Sequence, residues 1–150
     1  MKQPPDMQRL EEVLRSSKLV AGGFMGTDLR SVPEIIDRDM AELAAMKTTV
    51  KQIAERMQQI TDAAIPALGC WVQVDGNLWA KVDEAKGRLP CPWLHPAAFA
   101  KRVTYVRNSQ SGQSIKWSDL NIHLIEKHNF FEGKGSPYRI EPKELVKIIF

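Results

Sequence analysis

The sequence predicts an α+β fold, and three stretches carry the prediction. Between Val32 and Ala64 apolar residues recur every three or four positions, from Cys70 to Glu84 they alternate about Asp75-Gly76, and after Ser118 the helical spacing returns. Periods near 3.6 and 2 mark helix faces and half-buried strands respectively. The expected architecture is an N-terminal helical hairpin, a small and mainly antiparallel sheet of about four strands, and a C-terminal helix, loop and short helix. One α+β domain is expected over residues 1–150, with its helical part at 7–66 and its sheet and C-terminal helices at 67–150.

Pro4 and Pro5 predict a short stiff lead-in to a first helix over Met7 to Arg15, where Met7, Leu10, Val13 and Leu14 make one apolar stripe. Gly22, Gly23 and Gly26 then break the helix, and no lysine stands at the spacing of a phosphate-binding loop. Ser31 with Glu34 forms a capping box, Pro33 suits a first helical turn, and Ile35, Ile36, Met40 and Leu43 supply the buried face of a helix from Val32 to Met46. Thr49 with Gln52 repeats the start signal, and Val50, Ile53, Met57, Ile60 and Ala64 follow at helical spacing. The short connection at Lys47 and Thr48 predicts that the two helices form an antiparallel hairpin.

From Cys70 the period is that of strands. Residues 70–74 and 78–84 flank Asp75-Gly76, with Trp79 and Lys81 on the opposite face from Ala80 and Val82, while residues 101–108 and 114–117 flank a second turn. Three prolines between Pro90 and Pro96 leave little room for regular structure in that connection. Ser118 predicts the N-cap of a helix to about His128, and Pro142 opens a closing helix that buries Leu145, Val146 and Ile149.

No apolar run is long enough to span a bilayer, and none follows Lys2 as a secretory signal would, so the sequence reads as cytoplasmic with no membrane partner. A reducing compartment disfavours a disulfide between Cys70 and Cys91. The net charge is +3, and the positive balance sits in residues 101–150, with nine Lys or Arg against five Asp or Glu. That segment is the expected working face, over residues 101–139, of a non-catalytic binding module for a protein or a small anionic ligand.

Three sets of residues could carry a function. Gly133 and Gly135 can adopt positive φ and let the chain leave the helix before an extended stretch at Tyr138 to Ile140, with Phe130 and Phe131 pinned in the core. The same loop could make a cationic nest for phosphate or carboxylate from Lys134, Ser136 and Arg139, with Arg107 and Tyr138 nearby. The second set is Cys91, His95, His123 and His128, a Cys-x3-His and a His-x4-His whose gaps suit a structural zinc site. Five residues along a helix are about 140° of rotation, which turns His128 toward the core and His123 toward water unless the last turn loosens. The third set is a nucleic-acid surface of Lys101, Arg102, Arg107, Lys116, Lys134 and Arg139, with Tyr105, Trp117 and Tyr138 for stacking.

The hairpin followed by a helix bearing Asn121, His123 and His128 is similar in layout to ββα metal-dependent nucleases. Those need a catalytic His or Asp at the hairpin, where this chain has Tyr105, Arg107, Asn108 and Ser109. Cys91, near basic Arg88 and His95, is the one candidate nucleophile, through a favoured thiolate. The neighbouring acids Asp37 and Asp39, and Asp83 and Glu84, read as solvated faces.

Overall fold

The computed structural model describes residues 5–17, 19–93 and 95–150. Pro4, half of the expected lead-in, lies outside the described residues. Pro5 itself opens α1 (Pro5–Arg15), at a position where its missing N–H leaves no hydrogen bond unmade. The chain continues through α2 (Val32–Ala45), α3 (Val50–Ala64), a turn of 3-10 helix (Ile65–Ala67), β1 (Val72–Asp75), β2 (Leu78–Pro90), β3 (Ala98–Asn108), β4 (Ser114–Ser118), α4 (Asp119–His128) and α5 (Pro142–Ile149). The fold is α+β, with five helices and a four-stranded antiparallel sheet in the order β1-β2-β3-β4.

Reciprocal capping boxes start α2 at Ser31 and Glu34, α3 at Thr49 and Gln52, and α4 at Ser118 and Asn121. Between α2 and α3 the chain reverses at Lys47, which takes a φ of 57°. Its N–H donates to Ala44 O and that of Thr48 to Leu43 O, both at 3.1 Å, so the last carbonyls of α2 are satisfied without a glycine. Beyond this turn the two helices take different neighbours. α2 lies along α5, whereas α3 crosses the sheet beside α4.

Ile53, Met57, Ile60, Leu78, Ala80, Val82, Val106 and Trp117 form the centre of the main core, on the helix-covered face of the sheet. Within it Thr61 Oγ1 lies 2.7 Å from Thr104 Oγ1 and accepts from Trp117 Nε1 at 2.9 Å, so the buried polar atoms of α3 and the sheet satisfy one another. A second cluster gathers Leu10, Leu14, Phe24, Val32, Ile35, Cys91, Leu120, Leu124 and Phe130. α4 serves both: Ile122 and Ile125 enter the first cluster, Leu120 and Leu124 the second.

The proline-rich connection is more regular than its composition predicts. β2 runs on to Pro90 and pairs with β3 from Leu89↔Phe99 to Pro90↔Ala98, after a register shift between Ala85 and Arg88. β1 pairs only as far as Val72↔Ala80, so this end of β2 has a free edge where a proline forfeits no ladder bond. What remains irregular among the described residues is the tip, residues 91–93 and 95–97, closed by the Cys91 N–H donating to Ala97 O at 2.9 Å.

The loop after α4 turns its corner with only one of its two glycines at positive φ. Asn129, at φ 55°, ends the helix, and the Phe130 N–H returns to Leu124 O. Gly133 has no positive φ; a Cβ there would strike the backbone of Met25. Gly135 has φ +89°, and a Cβ would stand 2.6 Å from Thr27 Oγ1. This loop lies directly on the N-terminal glycine loop: Gly133 N–H donates to Phe24 O at 2.8 Å and Thr27 N–H to Lys134 O at 3.1 Å. Residues 138–140 are not a strand; they lead straight into α5. Among the described residues no helix is long and apolar enough to cross a membrane.

Candidate metal centre

Cys91 and His95 sit on the tip of the β2–β3 hairpin, and His123 and His128 on α4, beneath that tip. One donor atom from each of the four residues lies within 4.8 Å of the other three. His95 Nε2 is 3.0 Å from His128 Nε2 and 3.3 Å from His123 Nε2, and Cys91 Sγ is 3.5 Å from His128 Nε2. A tetrahedron with Zn–N near 2.05 Å and Zn–S near 2.3 Å has edges of about 3.3 Å between nitrogens and about 3.5 Å between sulfur and nitrogen. Three of the six separations therefore already equal tetrahedral edges to within a few tenths of an ångström.

The 140° between positions 123 and 128 does not keep their rings apart. α4 stays helical through His128, and the two ring centroids are 5.2 Å from each other. A helical wheel places Cα directions, whereas an imidazole reaches several ångströms from its Cα and can swing into a common space. Packing holds the swing: Trp93 stacks on His128 with centroids 4.3 Å apart and planes 11° from parallel, and Phe99 lies 4.5 Å from His123. Both histidines on α4 are half-buried, His95 is exposed and Cys91 is buried.

Burial, then the neighbouring His123 and His95, pull His128 down to about 4, and burial followed by His95 lowers His123 as well. Both shifts favour the neutral imidazole, the form whose lone pair can ligate a cation. Burial pushes the Cys91 thiol up, against a smaller opposing pull from the Trp93 N–H that donates to its sulfur. A favoured thiolate nucleophile is thus not what the protein alone provides at Cys91, and Arg88 is turned away to donate to Ala98 O at 3.1 Å. A metal ion would reverse the balance, because it binds the deprotonated sulfur.

The residues expected to make an anion nest are not brought together. Arg139 is sunk in the interior, its guanidinium 2.6 and 2.9 Å from the carboxylate oxygens of Asp39 and 2.8 Å from Glu132 O. Asp39, 1% exposed, is accordingly no part of a solvated face. Ser136 Oγ lies 2.7 Å from Glu132 Oε1, and the Lys134 N–H donates to Asp28 Oδ2 at 3.0 Å, so the loop's amide is met by a carboxylate of the same chain. Arg107 and Tyr138 face elsewhere, on the outer side of the sheet, over Trp71 and under Lys116.

The nucleic-acid set is divided too. Trp117 is wholly buried, and Arg102 bridges Glu84 and Asp119 at 2.7 Å each. Two supports of the cluster, Trp93 and Phe99, escape a reading by ligand type, though Trp93 falls inside the Cys-x3-His segment. Trp71 and Lys81, on the sheet's outer face, were legible only as outward positions of alternating strands.

The fold and this cluster define an α+β protein whose hairpin tip and neighbouring helix together present one thiol and three imidazoles to a common point. Comparison with known protein families, with curated proteins and with solved structures found no match.

Proposed function

We propose that the protein is a metal-binding protein that holds one structural zinc ion through Cys91 Sγ and the imidazoles of His95, His123 and His128. The observation that carries the reading is the convergence of four donors, three of whose separations are edges of a zinc tetrahedron. One thiolate and three imidazoles suit zinc better than magnesium or calcium, which take oxygen ligands. Four protein donors leave no open position for a substrate, so the centre clips the β2–β3 tip to α4 and does no chemistry of its own. This reading moves ahead of the metal-free binding module that the sequence alone favours. Cytoplasmic residence accords with it, since a reducing compartment keeps the lone cysteine of the site a thiol.

Elemental analysis of the purified protein tests the proposal, with about one zinc per chain expected. A chelator should lower the melting temperature, and cobalt should give the absorption of a tetrahedral site with a thiolate ligand. Cys91→Ser should abolish the sulfur-to-cobalt band, and His123→Ala should release the metal. A chain that purifies without metal, and whose melting temperature is unmoved by added zinc, would sink the proposal.

A further inference from the structure

The face of the sheet turned away from the helices carries a second pattern, independent of the metal cluster. Cross-strand pairing sets Lys81 beside Tyr105 and Tyr105 beside Lys116. Trp71 flanks this row at one end and Tyr138 at the other. Lys81 Nζ stands 5.5 Å from the Trp71 ring centre and 5.2 Å from that of Tyr105, and Lys116 Nζ stands 4.7 Å from that of Tyr138. Across the sheet, aromatic rings and ammonium groups therefore alternate: Trp71, Lys81, Tyr105, Lys116, Tyr138. Arg107 adds a guanidinium 4.9 Å from the Trp71 ring centre.

We infer that this face binds single-stranded nucleic acid. Neighbouring strands are about 4.8 Å apart, so successive rings along the row are separated by roughly twice that distance, with a cation between them. Flat apolar faces alternating with positive charge complement a chain of alternating bases and phosphates, provided the bases are unstacked. A duplex hides its base faces from such rings. Three cations on this face meet a single strand carboxylate, that of Asp83 in the next row. In the free protein the cations lie over the rings, a contact that a base and its phosphate can replace on both sides at once.

Fluorescence anisotropy of labelled oligo(dT) and oligo(rU), each of about 15 nucleotides, the upper range of a single-strand site, tests the inference on the full chain as purified. A matched duplex and heparin serve as controls. The expected result is binding to one or both single strands that weakens steeply with salt. Trp71→Ala and Tyr105→Ala should each weaken it about fivefold or more, and Lys81→Ala should lower the salt slope by about one. All three variants should keep the parent's melting temperature within a few degrees, since the residues are at the surface. No binding at about 100 µM protein, the weak end of non-specific affinity, would overturn the inference. So would duplex or heparin binding as tight as the single strands, or ring variants that bind like the parent; either would assign the face to polyanions in general.

Discussion

Trp93 lies flat on His128, ring against ring at 4.3 Å, while its own backbone N–H reaches the sulfur of Cys91. One residue between the two halves of the Cys-x3-His segment thus orients a donor on α4 and steadies a donor on the hairpin. Outer residues that fix ligand orientation are worth about 10–100-fold in metal affinity. Trp93→Ala should keep the stoichiometry of zinc and weaken its binding by about that factor, as read by competition with a chromophoric chelator. Affinity equal to the parent's would mean that the stack plays no part in placing His128.

The main core gives a contrast within one helix. Ile53 is fully buried and Lys51 exposed, two residues apart on α3. Ile53→Ala should cost roughly 2–5 kcal/mol and Lys51→Ala no more than about 0.5 kcal/mol. Denaturant melts check both, and equal losses would place the wrong face of α3 inside.

Arg139 and Asp39 expose 7% and 1% of their side chains, with a closest approach of 2.6 Å. Removing one partner strands the other charge in the interior, so Arg139→Ala should cost about 3–5 kcal/mol. Replacing the pair together, Arg139→Met with Asp39→Leu, should cost less than the single change. If Arg139 were instead an anchor for an external anion, the single variant would melt like the parent.

Glu132 is 3% exposed, and burial pushes its carboxyl up to about 7, against the pull of Ser136, Asn121 and Arg139. Unfolded, the group titrates near its ordinary 4.5. Below 4.5 both states keep the proton; between 4.5 and about 7 the unfolded chain releases it first, so stability falls as pH rises through that window. Glu132→Gln removes this slope. Relative to the parent it should gain on the order of 3 kcal/mol between about pH 4.5 and 7.5, measured by denaturant melts at matched pH. A difference that stays constant over the window would mean that Glu132 is ionised where it is buried.

The local grammar of the chain was legible without coordinates. Ser31 with Glu34 and Thr49 with Gln52 mark helix starts that the structure realises as full capping boxes, and Asp75-Gly76 turns between β1 and β2. Those signals lie within a few residues of what they control. Asp39 looked like a surface acid because its partner, Arg139, is 100 residues away. Gly133 looked like a turn residue because nothing near it reveals that Met25 lies against it. In the Cys91, His95, His123 and His128 cluster, ligand types and gaps were readable, but their convergence was not. A wheel drawn from Cα directions omits the reach of an imidazole and the Trp93 and Phe99 rings that aim it.

The two glycine loops meet backbone to backbone, Phe24 O with Gly133 N–H and Thr27 N–H with Lys134 O. Asp28 closes the same seam by accepting from Lys134 N–H, 106 positions downstream. During synthesis the first of these loops therefore has only the end of α1 to settle on, through Phe24 N–H to Leu14 O, until the ribosome has released the second. Contacts of such sequence separation form slowly, because the entropy of the intervening chain must be lost before they reward it. The seam is expected to be among the last parts of the molecule to form, with Phe24 and Met25 exposed in the meantime. A nascent chain halted just before residue 133 should be cut by protease between Ala21 and Thr27, and should become resistant there once residue 136 has emerged.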